Sequence, residues 1–292
     1  MSRIVPVDAE TIRRAAAALR SGELVAFPTE TVYGLGADAA NPAAVRRIFD
    51  AKDRPPDHPV IVHVRDLAAA RQWTRSMPRA ATLLAKKLWP GPLTLVLPRA
   101  SQVQDVVTGG QDTVGLRVPS HRVAQALLAE FDGGIAAPSA NRFGHVSPTR
   151  AQHVEDDLGD RVAMILDGGD ADVGIESTIV AFRGETPMLL RPGAIGVAAL
   201  TQILGRAPEG ASDDAPRASG TLASHYAPHT PASLVSRAGL RAELAQLTDR
   251  DEQVAVLARG AVAPDEFDGI WIDAPVDLAA YAHDLYANLR SL

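Results

Sequence analysis

The strongest constraint on this chain is an alternation. Short apolar runs, too brief to be buried helices, are separated by stretches of helical spacing through the first two-thirds of the sequence. ELVAFPT (23–29), PVIVHV (59–64), LTLVLP (93–98), TVGLRVP (113–119) and VAMILDGG (162–169) read as buried strands. The N-terminal segment reads as a strand followed by an amphipathic helix. Asn41-Pro42 supplies an N-cap and first-turn pair for AAVRRIFDAK. Further helices are predicted over 78–89, 123–131 and 149–158, the last opened by Ser147-Pro148, with ESTIV and PMLLRPG forming a strand pair within 176–193. The pattern predicts an α/β architecture with too many strand–strand neighbours for a purely parallel sheet.

Composition narrows the chemistry. The 292 residues suit one or two domains, and 46% hydrophobic content is enough to bury a core. With no cysteine, disulfides, thiolate metal sites, iron–sulfur clusters and a cysteine nucleophile are excluded. No apolar run approaches the roughly 20 residues of a membrane span, and no apolar signal core opens the chain, so a cytoplasmic location is expected. Three lysines stand against 26 arginines, a bias of composition that is no evidence for phosphate binding.

Residues 205–231 change character: Gly, Ala, Ser and Pro fill 16 of 27 positions with no apolar period. An α/β pattern then resumes with ASLVS, a helix over 240–247, QVAVLA, GIWID and a helix over 278–292. The expected division is a domain over 1–206, a linker over 207–231 and a small domain over 232–292. Residues 233–292 carry 5 basic and 10 acidic side chains, which leaves 24 − 25 = −1 for residues 1–232. The net charge of −6 therefore belongs mostly to the second domain, and the first remains free to carry a cationic cleft. The chain stops within its last helix without a cap or glycine, which reads as an incomplete domain.

Several constellations carry chemistry. PTETVYGLGADA (28–39) contains G-x-G-x-x-A, but the best helix start is Asn41-Pro42, not the second glycine, so a dinucleotide fingerprint is rejected. The segment reads as a polar turn with Thr29, Thr31, Glu30 and Tyr33 held by glycines, either a grip for a small polar ligand or an ordinary strand-to-loop turn. In AKDRPPDHPVIVHV (51–64), Lys52 and Arg54 precede two prolines, which predicts an extended segment pointing both cations the same way, toward an anion or toward solvent. His63 alternates with valines and reads by default as a core histidine. APSANRFGHVSPT (137–149) places Ser139, Asn141 and Ser147 before a predicted helix, as an anion site, as plain capping by Ser147, or as both. Arg117 lies inside an apolar strand, where a guanidinium needs a carboxylate or phosphate partner. Ser177 and Arg191 fall at strand ends, WPGPLT reads as a rigid turn, and SHYAP (224–228) puts an aromatic and a histidine in the linker, which fits a linker that docks. P-loop, H-E-x-x-H and G-x-S-x-G motifs are absent. Hydroxyls, backbone amides and cations around an anion suit nucleotidyl or phosphoryl transfer by positioning and charge stabilisation.

Taken in order, PTETVYGLG, K-x-R-P with PVIVHV, WPGPLT, VGLRVP, PSAN…SPT, GIESTIV, LLRPG and SGTLASHYAP closely resemble the YrdC-like threonylcarbamoyl-AMP synthases, the two-domain bacterial and archaeal form in particular. The resemblance covers about residues 20–230. It implies a twisted mixed sheet with a concave ligand cleft, followed by a smaller Rossmann-like domain. It also implies a reaction in which L-threonine and bicarbonate form a carbamate that attacks the α-phosphate of ATP, releasing pyrophosphate. Partner transferases would then pass the threonylcarbamoyl group to the adenosine beside a tRNA anticodon. By matching motif, Thr31, His63, Arg117, Ala137 and Ser177 would hold threonine. Lys52, Arg54, His58, Thr113, Ser139, Asn141, Ser147 and Arg191 would hold ATP, with Tyr226 as a lid. Position 58 departs from the small polar residue more usual there, and the linker lacks a basic, methionine-containing version. Mg²⁺ is implied, bound through phosphates and water without protein side chains. The competing readings are an RNA-binding module using the same cationic cleft, disfavoured by net acidity and 4% aromatic content, and a carbamoyl-adenylate-forming relative, which would carry zinc-finger cysteines. Direct tRNA contact is left open by these residues.

Overall fold

The computed structural model describes residues 2–212, 214–220, 227–228, 230–248 and 253–292. In chain order its strands are β1 (Ile4–Pro6), β2 (Val25–Phe27), β3 (Gly34–Asp38), β4 (Ile61–His63), β5 (Leu93–Pro98), β6 (Thr113–Arg117), β7 (Ile135–Ala136), β8 (Met164–Asp167), β9 (Thr178–Arg183), β10 (Thr186–Arg191), β11 (Glu209–Gly210), β12 (Ala255–Arg259) and β13 (Ile270–Ala274). The first eleven form one mixed sheet in the order β1-β8-β2-β3-β7-β4-β6-β5-β9-β10-β11, and β12 and β13 form a separate parallel pair. β1 and β2 flank β8 in parallel, whereas β2–β3, β5–β6 and β9–β10 are antiparallel.

The first two long helices are capped by side chains, the second at the predicted Asn41-Pro42. Asp8 caps Ala9–Arg20 reciprocally with Thr11: the Thr11 amide donates to the carboxylate at 2.7 Å and the Asp8 amide donates to the hydroxyl at 2.8 Å. Asn41 accepts from the amides of Ala43 and Ala44 ahead of Pro42, and the helix Pro42–Lys52 ends at Asp53 with φ 53°.

The period of two then sorts each strand's side chains. Leu24 and Ala26 face one core, shared with the helices Pro42–Lys52, Arg79–Leu88, Ala151–Leu158 and Val197–Leu204, while Val25 and Phe27 face another, shared with Ala9–Arg20 and Arg122–Phe131. The second face is covered unevenly. Its two helices pack on Val25, Phe27, Ile135, Met164 and Leu166, but the β4, β5 and β9 residues on that side, Ile61, Val96 and Ile179, share no apolar cluster with a helix among the described residues and pack with Met188 and the connecting segment at Ala218. The cleft opens on this part of the sheet.

Five expectations need correction. Residues 34–38 are a strand, not part of a turn, because Gly34 and Gly36 let β3 lie close to its neighbours: a Cβ on Gly36 would meet Phe27 at 2.9 Å and Ile135 at 3.0 Å. Lys52 ends a helix and Asp53 turns left-handed, so the extended geometry that would align Lys52 with Arg54 does not form. The helix after SPT begins at Ala151 with Arg150 as N-cap, so Ser147 does not cap it. No strand forms at ASLVS; 231–236 is irregular. The segment after residue 206 is also partly structured, since β11 adds a parallel edge to β10 and Arg183 pairs with Asp214 at 2.8 Å. Beyond it, Leu240–Thr248 and Leu278–Ser291 accompany the parallel pair, whose ten-residue crossover 260–269 carries no helix.

Candidate active site

The exposed half-face is polar for a reason legible in the register. Ile61 pairs with Gly115 and His63 with Arg117, so Ile61, His63, Gly115 and Arg117 rise on one side, while Val62, Val114 and Leu116 enter the core opposite. Thr94 and Val96 on β5 continue the same side, where Thr94 Oγ1 lies 2.8 Å from Ser177 Oγ. The loops 28–33, 137–139 and 176–177 close around this surface into a cleft of about 420 Å³. Its wall includes Thr29, Thr31, Tyr33, His63, Arg117, Ala137, Ser139, Glu176, Ser177, Arg191 and Ser219. A neighbouring cleft of about 300 Å³ shares Ile61 and Ser219 and extends along Thr94, Gln111, Thr113, Ile179 and Arg217.

The charges inside are placed with care. Arg117 and Glu30, each 5% exposed, form an ion pair at 2.7 Å. The same Nη2 donates to Thr31 Oγ1 at 2.8 Å, and Glu30 also accepts from the Ser120 amide at 2.9 Å. Burial pushes the Glu30 carboxyl up, but the charge and hydrogen bond of Arg117 outweigh it and hold the group below the usual carboxylate range. Arg117 Nε is buried without a hydrogen-bond partner among the described residues, so the guanidinium is anchored through Nη2 and keeps its Nε–H unpaired. His63 is driven down to about 3 by burial and by the Arg117 charge, and is therefore neutral at pH 7. Its Nδ1 also has no partner among the described residues. Arg191 spans two segments, donating from Nη2 to the Ser177 carbonyl at 2.8 Å and from Nη1 to the Ser219 carbonyl at 2.8 Å. Gly193 makes this possible: a Cβ there would meet the Glu176 carbonyl at 2.5 Å.

The predicted threonine set, Thr31, His63, Arg117, Ala137 and Ser177, lies together on the larger cleft. The predicted ATP set divides. Ser139 and Arg191 line the same cleft and Thr113 lines its neighbour. Lys52, Arg54, His58, Asn141 and Ser147 line neither. The Lys52 ammonium is buried and donates to the carbonyls of Ser139 (2.6 Å) and Asn141, and burial followed by the nearby Arg54 charge lowers it well below the ordinary lysine value. Arg54 lies against Phe49 and Phe143 and donates to the Pro59 carbonyl at 2.9 Å, while the His58 ring lies 5.6 Å from Phe143. Asn141 donates to the carbonyls of Arg142 and His145, and Ser147 donates to Glu176 Oε1 at 2.5 Å. These side chains shape the loops behind the wall. Tyr226 lies outside the described residues.

Residues 17–193 match the Sua5/YciO/YrdC family, described as "Telomere recombination", and residues 195–292 match "Threonylcarbamoyl-AMP synthase, C-terminal domain". The chain belongs to the Sua5/YciO/YrdC family. It is 41% identical over 266 residues to the threonylcarbamoyl-AMP synthase of Pyrococcus abyssi, covering 87% of this chain and 78% of that one. It is 46% identical over 228 residues to the Bacillus subtilis enzyme of the same name, covering 76% of this chain and 66% of that one. The crystal structure of P. abyssi Sua5 complexed with L-threonine superposes with a TM-score of 0.90 at 37% identity, covering 99% of this chain and 88% of that one.

Within this Sua5-type fold, sequence reasoning missed Glu176 and Ser219 as wall residues, and saw Glu30 without its partner. Glu176 had a signal, since a carboxylate in GIEST precedes the hydroxyls at a strand start. Ser219 had none, because the position of the connecting segment is set by contacts with Arg191 and Gln111. Among the described residues no group of three His, Cys, Asp or Glu side chains could hold a metal ion, and no helix is long and apolar enough to cross a membrane.

Proposed function

We propose that this chain is a threonylcarbamoyl-AMP synthase. The observation that carries the reading is the convergence of Thr31, His63, Arg117, Ala137 and Ser177 on one cleft in which a buried arginine keeps its Nε–H unpaired among the described residues. An amino-acid carboxylate suits that N–H through a charge-assisted hydrogen bond, while Glu30 holds the guanidinium in place through Nη2. Thr31 and Ser177 offer hydroxyls. Neutral His63 offers a hydrogen-bonding nitrogen and adds no second cation beside Arg117.

In the proposed reaction the threonine amine attacks the carbon of bicarbonate, one amine proton and the displaced hydroxyl leave together as water, and a carbamate forms. A carbamate oxygen then attacks the α-phosphorus of ATP, and the bond to pyrophosphate breaks. Arg191 and Ser139 are the groups on the cleft wall for the nucleotide phosphates, and the smaller cleft along Thr113 continues from them. Lys52, Arg54, Asn141 and Ser147 maintain the loops that present these groups. Mg²⁺ enters with ATP as part of the substrate, coordinated by phosphate and water. No base is needed at the phosphorus, so positioning and charge stabilisation supply the acceleration. The product is a reactive mixed anhydride, and a transferase that modifies tRNA adenosine beside the anticodon would consume it.

The test is pyrophosphate release from ATP and Mg²⁺, omitting L-threonine and bicarbonate in turn. Release that requires both supports the reading. ATP turnover indifferent to threonine, or no turnover, overturns it.

A further inference from the structure

The helix Leu278–Ser291 belongs to the second domain, yet its last turns pack on the catalytic cleft. Tyr286 is buried with Val32 and Val146, the first from the loop of Thr31 and the second adjoining Ser147, and Ile175, Leu285 and Leu289 complete the seam. The approach is close enough that Gly174, at φ 74°, has no room for a Cβ: the His283 carbonyl would lie 2.1 Å away. Polar contacts then reach the site. The Tyr286 hydroxyl donates to Glu176 Oε2, while Ser147 donates to Oε1 of the same carboxylate. Arg290 donates to the Val146 carbonyl and pairs with Asp157 at 2.6 Å, fixing the helix to the loop that carries Ser147.

Glu176 is the pivot. It lines the cleft, and its backbone carbonyl accepts from the Ala194 amide, tying it to the turn after Arg191. Its carboxylate has two hydroxyl donors and makes no ion pair among the described residues. A carboxylate free to turn into this cleft would repel a triphosphate and compete with it for Arg191; one held by two hydroxyls stays against the wall. We infer that Tyr286 is a positioning residue for the nucleotide side of the cleft, acting through Glu176 and Ser147, so that the second domain completes the site it packs against. The inference rests on the proposed function.

The experiment compares the full chain with Tyr286→Phe, Glu176→Gln and the double variant. It reads ATP–Mg²⁺ affinity by calorimetry, the KM for ATP and for L-threonine, and the melting temperature. Phenylalanine fills the same seam, so Tyr286→Phe should melt near the parent. Its ATP Kd and KM should rise roughly tenfold, with the threonine KM within about twofold. In the Glu176→Gln background the same change should have little further effect, because there is no charge left to hold. Unchanged ATP affinity in Tyr286→Phe overturns the inference, as does an equal loss with and without the Glu176 charge. So does a loss shared equally by both substrates, the mark of a loosened fold. If the parent neither binds ATP nor releases pyrophosphate, the functional reading and the inference both fall; an active parent with indifferent variants defeats the inference alone.

Discussion

Arg117 shows how one residue serves stability and recognition at once. The sequence marks it, since a guanidinium in an apolar strand needs an anion, but the anion that meets it is Glu30, 87 residues away. Removing the arginine strands a buried carboxylate. Arg117→Ala should therefore destabilise the fold by about 3–5 kcal/mol in denaturant unfolding. Adding Glu30→Gln should recover most of that loss while leaving L-threonine binding abolished in calorimetry. Threonine affinity restored to the parent value in the double variant would remove Arg117 from the binding role. Lys52 teaches the converse. Its spacing with Arg54 reads as a paired cation site, yet helix geometry continues through it and buries the ammonium against two carbonyls.

At the scale of elements, the glycines divide into those that turn the chain and those that let it pack. Gly34 and Gly36 look like turn residues and lie in a strand, because a contact with Phe27 or Ile135 has no local signature. Gly174 combines a left-handed φ of 74° with the helix carbonyl at His283, whereas Gly184, between β9 and β10 at φ 61°, has open space around it. Alanine at Gly184 should cost the backbone term alone, about 1–2 kcal/mol. Alanine at Gly174 should cost at least about 1 kcal/mol more, and should raise hydrogen exchange in Leu278–Ser291. Equal costs at the two positions would mean that the helix is not held there.

For the whole molecule, buried histidines set an acid limit. Burial and neighbouring arginines lower His63 to about 3 and His153 to about 4, against an ordinary value near 6.5. The unfolded chain therefore takes up protons near pH 6.5 that the folded chain refuses. Their contribution is fully present above pH 6.5 and is lost as pH falls toward 4 and then 3. Glu30, also lowered, adds to the loss below its ordinary range near 4.5. Urea unfolding at pH 7.5, 6 and 5 should give falling stability, with His63 contributing at most about 1.4 kcal/mol per pH unit and the half-buried His153 less. His63→Gln should flatten the slope. A pH-independent stability across that range would contradict the burial of a neutral His63.

Local signals span a turn of helix or a pair of strand residues, and what depends on them was decided by the sequence alone: a mixed α/β class, the longer strands and helices in their order, the cap at Asn41, and the set of polar residues that could meet on one face. Boundaries came out a residue or two long, β3 was hidden inside an apparent turn, and the short strand Ile135–Ala136 and the helices Leu67–Arg71, Asp105–Thr108 and Val197–Leu204 were not anticipated. What only the tertiary structure decided depends on pairings between distant segments. These are the meeting of Arg117 with Glu30, the part of one sheet face left without a helix so that a cleft opens, the withdrawal of Lys52 and Ser147 behind its wall, and the reach of Tyr286 across the domains. Each is the outcome of long-range competition for burial and hydrogen bonds, which no window of neighbouring residues records.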